Sequence, residues 1–188
     1  KYKKYKIAEL PLHRTNLEFD GYGYLNNDSA ISLIKKRMME ILEIESPIEK
    51  ELLYKRVLTS IGIQKLGRRI EVLFDETIKN LKKEKGISIY QNTISLEPIE
   101  TFCAIRISKE TERPFILIPK EELAGAIIDI LRNSFSITKE AIVSDIARGI
   151  YHNNRTGNKI RDKVKEAINH LIKNNLIEED KGKIRLKK

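Results

Sequence analysis

Two short basic segments, each built around a glycine, contain the residues of this chain best suited to contact an anion. They read KLGRRI at positions 65–70 and RTGNKI at positions 155–160. Basic side chains at the start of a helix can contact phosphate groups, because the N-terminal backbone N–H groups already favour an anion. The candidate nucleic-acid-binding residues are therefore Lys65, Arg68, Arg69, Arg155, Asn158, Lys159, Arg161 and Lys163.

Residues suited to catalysis are sparse and scattered. Cys103 is the only cysteine, which excludes an intramolecular disulfide, and the three histidines are far apart in the sequence. There is no glycine-rich phosphate loop of the Walker type and no arrangement that supports a nucleophilic triad. The run at positions 179–181, EDK, is similar to the acidic and lysine elements of metal-dependent nucleases, but it falls in a predicted hairpin turn. We therefore expect no enzyme activity, catalytic residue, metal site, cofactor or small-molecule substrate.

The composition favours a polyanionic partner. The chain has 188 residues and a formal net charge of +9, with a pI of about 9.5 and a mean hydropathy of −0.41. The alternative cause of this charge is a generally lysine-rich proteome. No run reaches the roughly 18 apolar residues that a membrane span needs, and no signal peptide is visible, so we expect a cytoplasmic protein without a membrane partner. The chain begins with lysine rather than methionine, which suggests a fragment of a longer protein.

The two glycine segments belong to a longer internal repeat. Gly67 and Gly157 are 90 residues apart, whereas the upstream residues match at a spacing of 89, with Ile48 on Ile137. The apolar register is kept over more than sixty residues if one extra residue is placed between Ile150 and Gly157. This regularity predicts a duplication.

Each copy predicts the order helix, short bridge, helix, loop, helix and β-hairpin. In the second copy, Leu123, Ile127 and Ile130 have helical spacing, Thr138 is a predicted N-cap, and the third helix covers about 158–174. This order is typical of a winged helix, so we predict an α+β, mostly α fold of tandem duplicated winged-helix units. A three-helix bundle with a β tail is the alternative. The predicted domains are an N-terminal connecting arm (1–28), winged-helix repeat 1 (29–97), an inter-repeat strap or hairpin (98–120) and winged-helix repeat 2 (121–188).

The positive charge lies at the start of each predicted third helix, which is the less favourable end for cations because of the helix dipole. Helix stability therefore does not explain it, whereas phosphate contact does. We expect Gly67 and Gly157 to allow a close backbone approach or a positive φ. The second wing carries Glu178, Glu179 and Asp180, an unsuitable surface for a minor groove. The alternative is that exposed helix faces in a lysine-rich protein are basic without a function.

The segments outside the repeats are rich in aromatic and apolar residues. The arm mixes Tyr2, Tyr5, Tyr22 and Tyr24 with lysines, so it either packs on the first repeat or binds single strands by stacking. In the strap, positions 102–107 and 115–118 are predicted strands around a polar turn. We expect this strap to dock the two repeats together.

Several short sequence motifs of this chain resemble those of one bacterial family. These are Ile118-Pro119 with Glu121-Glu122-Leu123, Arg155-Thr156-Gly157 with Lys159-Ile160-Arg161, and the closing IEEDKGKIRL. They resemble the C-terminal domain of unknown function of large bacterial superfamily-one helicase-like proteins, which often follows a Vsr-like, restriction-endonuclease-type domain. The resemblance covers nearly the whole chain. It implies a DNA context, and it implies that ATPase and nuclease chemistry belongs to upstream domains of the parent chain. Leu66 stands where the second copy has Thr156, so the two copies are not expected to be equivalent.

Together these observations predict a non-catalytic nucleic-acid-binding accessory module of a helicase-like protein, with DNA and the upstream helicase and nuclease-like domains as partners. The alternative is a protein–protein or intramolecular docking module that uses the same surfaces. A small nuclease is the third and weakest hypothesis.

Overall fold

The computed structural model describes residues 2–25 and 27–188, so Lys1 and Asn26 of the predicted arm lie outside the described residues. The chain forms two compact units. The first unit is Lys6–Ile99, and the second unit combines Lys1–Tyr5 with Glu100–Lys188. The first strand, β1 (Lys3–Lys4), therefore belongs to the second unit although it precedes the first.

The first unit contains three helices and a small antiparallel sheet. Its elements are α1 (Asp28–Glu45), β2 (Ile48–Glu49), α2 (Lys50–Ser60), α3 (Arg68–Lys85), β3 (Ser88–Tyr90) and β4 (Thr93–Ser95). The strand order is β2-β4-β3. Helix α1 begins where the Asn27 side chain accepts a hydrogen bond from the Ala30 N–H at 3.1 Å. Helix α3 ends at Gly86, whose φ of 70° is the left-handed conformation that glycine adopts readily.

In the second unit the same order of helices and strands follows the strap. Its further elements are β5 (Arg106–Ile107), a 3-10 helix (Phe115–Leu117), α4 (Lys120–Arg132), β6 (Ile137–Thr138), α5 (Lys139–Ser144), a π-helix (Asp145–Ile150), α6 (Asn158–Lys173), β7 (Ile177–Asp180) and β8 (Lys183–Leu186). The sheet order is β6-β8-β7. Thr138 caps α5 as predicted, since its hydroxyl accepts from the Ala141 N–H at 3.2 Å. The apolar faces of α4, α5 and α6 form the core of this unit.

The architecture is α+β and mostly α, which confirms the predicted class. In both units a two-residue strand precedes the second helix and pairs with the last strand, Ile48 with Ile94 and Ile137 with Ile184. The sequence did not predict these strands, because two residues are too few to produce an alternating pattern. They extend each hairpin to a three-stranded sheet and tie it to the second helix.

The extra residue of the second repeat lies in the π-helix, and the predicted place between Ile150 and Gly157 is wrong. In the first unit the Ile61 N–H bonds to the carbonyl of Val57, four residues earlier, whereas the Tyr151 N–H bonds to that of Ile146, five residues earlier. The next residues confirm the shift, because Gly62 (φ 77°) and His152 (φ 53°) both have positive φ. A π-helix absorbs one inserted residue without ending the helix. Tyr151 therefore occupies the place of Ile61.

The strap differs from the two predicted strands. Only Arg106–Ile107 forms a strand, and it pairs in parallel with β1, Lys3 with Arg106 and Lys4 with Ile107. Phe115–Leu117 forms a 3-10 helix instead. Pro114 explains this difference, since it has no backbone N–H for a strand ladder and its fixed φ suits the start of a helical turn.

A buried charge network holds the strap and β1 against the second unit. The Glu122 side chain is fully buried and accepts hydrogen bonds from both Arg113 terminal nitrogens, at 2.8 and 2.9 Å, and from Arg106 Nη2 at 2.9 Å. The Arg113 guanidinium lies over the Tyr5 ring, 4.0 Å from its centroid. Burial opposes ionisation of Glu122, but the hydrogen bonds and charges of the two arginines outweigh it and hold the pKa of the carboxyl below its ordinary value.

Among the described residues, no helix combines the length and apolar character that a membrane crossing requires.

Candidate nucleic-acid interface

Helices α3 and α6 begin in the same way, directly after a glycine. Gly67 and Gly157 are the N-caps, and with no side chain they provide no capping hydrogen bond. Their φ values, −85° and −66°, are ordinary, so the expected positive φ is wrong. A Cβ added at either glycine would meet nothing within 4 Å, so the space in front of both helices is open. The first N–H groups of each helix therefore face a region that an anion can approach.

In the first unit the predicted contact residues are exposed. Lys65 lies in the loop after α2, and Arg68 and Arg69 form the first turn of α3. The opposite face of α3 is buried through Phe74 and Ile78, which fixes the basic residues outward. These three cations therefore form one exposed cluster at the start of α3.

In the second unit three predicted residues line one cavity. Arg155, Asn158 and Lys159 lie around a depression of about 730 Å³ in front of α6, with Phe115 on its other side. The approach loop is held by an Asx turn, in which the Arg155 N–H donates to Asn153 Oδ1 at 3.0 Å. The structure thus brings together these side chains and the uncapped helix start.

Arg161 lies on a different side of α6, in a cleft of about 330 Å³ between α5 and α6. Arg148 and Lys165 line the same cleft, and within the described residues none of these three cations forms an ion pair. The hydroxyls of Ser144 and Thr156 also line it. Lys139 is a fourth cation of the lining and Glu140 is its carboxylate, so the cleft has an excess of positive charge beside two hydroxyl donors, which suits a phosphate group.

Two of these cleft residues, Ser144 and Arg148, were missed by the sequence prediction, and Lys165 was left out of its contact set. The spacing of these residues in the sequence could have indicated that they share helix faces. Ser144 and Arg148 are four residues apart, as are Arg161 and Lys165, and each pair lies off the apolar face of its helix. The crossing of α5 and α6, which brings the two pairs into one cleft, could not be predicted from the sequence.

Lys163 behaves differently from the other predicted residues. Its side chain is only 11% exposed, and its Nζ lies 3.7 Å from a carboxylate oxygen of Glu166. A cation so covered and paired is less available to an external phosphate than Lys159 or Arg161.

The acidic residues of the β7–β8 hairpin are paired within the second unit. Glu178 contacts Arg185 at 2.7 Å, Asp180 contacts the same arginine at 3.6 Å, and Glu179 contacts Lys139 at 2.7 Å. These pairs reduce the negative charge of the hairpin. Glu179 also partly neutralises Lys139, which lines the α5–α6 cleft.

Cys103 and His170 both have internal roles in the second unit. Burial, together with the nearby charge of Glu122, raises the pKa of the Cys103 thiol to about 12, so it stays protonated near neutral pH. A ring nitrogen of His170 lies 2.8 Å from the Thr101 carbonyl oxygen. Over residues 2–25 and 27–188, no group of three or more histidine, cysteine, aspartate or glutamate side chains could hold a metal ion.

Residues 27–72 of this chain match the family model DUF3320, described as a protein of unknown function. The match covers about a quarter of the chain, from α1 into the first turn of α3. Comparisons with curated proteins and with solved structures find no match.

Proposed function

We propose that this chain is a non-catalytic nucleic-acid-binding module, with duplex DNA as its ligand, built from two winged-helix units. The element order helix, strand, helix, helix and hairpin supports winged helices, as does the short strand that extends each hairpin. In that arrangement the third helix, α3 or α6, contacts the nucleic acid, and the basic starts of both helices are exposed.

The observation that carries the proposal is the basic surface around the start of α6. Arg155 and Lys159 lie in front of the helix, and Arg148, Arg161 and Lys165 line the cleft beside it. Within a folded domain, like charges lower stability when they converge, so their gathering at one place is best explained by an anionic partner. A duplex supplies phosphates on both sides of a helix that enters its groove.

The resemblance to the C-terminal domain of helicase-like proteins supports an accessory role. In that role this module holds DNA for upstream helicase and nuclease-like domains of the parent chain, and those domains carry the chemistry.

The test is fluorescence anisotropy of a labelled duplex at two salt concentrations. If about six phosphates are neutralised, log K falls with log salt with a slope of about −5. Lys159→Glu with Arg161→Glu should weaken duplex binding and make that slope shallower, and Arg68→Glu with Arg69→Glu shows whether the first unit contributes. The matched control is Lys36→Glu with Lys55→Glu, two exposed lysines on α1 and α2. Salt-insensitive binding, or equal loss in the control, contradicts the proposal.

A docking module is the second candidate, and one residue favours it. Phe135, in the turn between α4 and β6, is 86% exposed. A large aromatic side chain so exposed is typical of an anchor for another protein surface. If Phe135→Ala abolishes association with the parent domains while duplex binding is absent, docking is the function.

A further inference from the structure

A second surface of the second unit lies beside the proposed duplex site. A cavity of about 520 Å³ opens between β1, the turn that follows β5, and the loop after the π-helix. It shares lining residues with the cavity in front of α6, namely Glu110, Phe115, His152 and Asn153. The two cavities are therefore adjacent, and the surface that they form together is called here the His152 groove.

The rim of the His152 groove is basic. Lys3, Lys4 and Lys109 line one end, and Arg155 and Lys159 line the other. Lys3 and Lys4 are exposed on β1, whose backbone is already paired with β5, so their side chains are available without a cost to the strand.

The acids of the groove are engaged in local structure. Glu110 Oε2 accepts from the Phe115 N–H at 2.9 Å, and Glu112 Oε2 accepts from the Lys109 N–H at 2.9 Å. The cations of the rim outnumber these two carboxylates among the described lining residues, so the groove favours an anionic chain.

The floor between the basic ends is apolar. Phe115 and Tyr151 are buried there in an edge-to-face contact, with ring centroids 5.6 Å apart. His152 is exposed and lines both cavities. An apolar floor and an exposed planar ring between two basic ends suit a strand whose bases are unpaired.

The backbone of His152 has an uncommon conformation. Its φ of 53° is a conformation that costs a non-glycine residue energy, and the first unit has Gly62 at the equivalent place. Gln91, Asn175 and Lys181 have the same conformation at turns, so the positive φ marks a tight turn from which the imidazole is presented.

We propose that the His152 groove binds single-stranded nucleic acid. Phosphates lie against Lys3, Lys4 and Lys109 at one end and against Arg155 and Lys159 at the other, and a base stacks on His152. The inference rests on the proposed nucleic-acid function and adds a class of strand and a second site, which shares Arg155 and Lys159 with the duplex surface. A junction between duplex and single strand then contacts both sites of the unit.

The experiment measures anisotropy of labelled twelve-nucleotide oligo(dT), oligo(U) and a blunt duplex at several salt concentrations with the full chain. Lys4→Gln with Lys109→Gln removes two groove cations, and the control Lys36→Gln with Lys55→Gln removes two exposed cations elsewhere. We expect the groove variant to make the single-strand slope shallower by about 1.4, from about 0.7 for each phosphate contact. The control should leave this slope unchanged, and the groove variant should leave duplex binding unchanged.

The variant His152→Ala tests the contribution of stacking separately from that of charge. Loss of stacking should weaken oligonucleotide binding about tenfold with no change in the salt slope. Comparison of oligo(dT) with oligo(U) identifies DNA or RNA as the strand.

Equal effects of the groove and control variants, or unchanged oligonucleotide binding in both the lysine variant and His152→Ala, overturn the inference. So does displacement of the oligonucleotide by polyglutamate of equal charge, which would mean that the groove recognises negative charge alone. The lysine results are separate from the duplex test, because Lys4 and Lys109 line neither the α5–α6 cleft nor the cavity in front of α6.

Discussion

Glu122 shows how much of the second unit depends on a single buried charge. Its carboxylate accepts from Arg113, Arg106 and the Tyr151 hydroxyl, the last at 3.0 Å, and it is fully buried. A buried carboxylate with several donors stabilises a fold only while the whole set is complete, because each remaining partner is costly without it. Burial and the charge of Glu122 also raise the pKa of Tyr151, so this hydroxyl remains a donor.

Replacement of this carboxylate should be strongly destabilising and dependent on pH. Glu122→Gln leaves Arg113 buried without a counter-charge, and we expect a loss of about 3–5 kcal/mol in the free energy of unfolding near pH 7. Since the pKa of Glu122 is lowered on folding, its contribution is complete above the ordinary value of 4.5 and is lost as pH falls towards the lowered value. The difference between variant and wild type should therefore shrink below about pH 4.5.

Urea unfolding between pH 3 and pH 7 measures this difference, with the exposed Glu76→Gln as the control. A difference that stayed constant over the whole range would show that the charge of Glu122 is not the stabilising feature.

A second prediction for a single residue concerns the effect of a side chain at Gly125 on stability. A Cβ at this position would lie 2.1 Å from the Cys103 carbonyl oxygen, a backbone atom that cannot move aside easily. We expect Gly125→Ala to lower stability by about 3 kcal/mol. Gly149→Ala is the matched control, because an added Cβ there meets nothing within 4 Å. If both variants melt at the wild-type temperature, α4 does not approach the strap this closely.

The π-helix is the feature that distinguishes the two units at the scale of an element. It moves Tyr151 to the place of Ile61, from which its hydroxyl reaches Glu122, and it puts His152 at the left-handed position held by Gly62. One inserted residue thus supplies both a donor to the buried network and the ring of the His152 groove.

This correspondence predicts opposite effects of two substitutions. His152→Gly should raise the free energy of unfolding by about 1 kcal/mol, because it relieves the positive φ. Gly62→Ala should lower it by a similar amount or more, since the added Cβ would also lie 3.2 Å from Arg14 Cγ. Thermal melts of the two variants beside wild type measure both. A loss of stability in His152→Gly would mean that its side chain holds the loop.

Elements with a long periodic pattern of apolar residues were predicted from the sequence, whereas elements with a short pattern were not. Helix α6 was predicted within about a residue at each end, since Ile160, Val164 and Ile168 recur at helical spacing. Strands β2 and β6 were missed because two residues give no periodicity. The π-helix was detected only as a change of spacing, and its place came from backbone hydrogen bonds that apolar residues do not encode.

At the scale of the whole molecule, the second unit is assembled from two distant parts of the chain. Tyr5 is 2% exposed beneath Arg113 and Arg106, with the latter 5.1 Å from its ring centroid. No local pattern indicates that residues 2–5 pair with β5, because the partner is about 100 residues away. The tyrosines and lysines of this segment were visible in the sequence, but their place in the second unit was not.

Tyr5→Ala should therefore destabilise the second unit and leave the first unaffected. We expect a loss of about 3 kcal/mol from the removed ring and its two guanidinium contacts. Hydrogen exchange should rise in α4 and α6 but not in α1 and α3, and Tyr22→Ala, at a side chain that is 91% exposed, serves as the control. Increased exchange in the first unit instead would show that β1 supports that unit.

The pairing of β1 with β5 has a consequence for the order of events on the ribosome. Residues 6–99 can fold as soon as they emerge, whereas β1 must wait for a partner that is synthesised roughly 100 residues later. During that interval Tyr5 is exposed on the nascent chain, and a folded first unit shortens the flexible distance that β1 must close. A segment that is synthesised before the first unit is thus fixed in place after it.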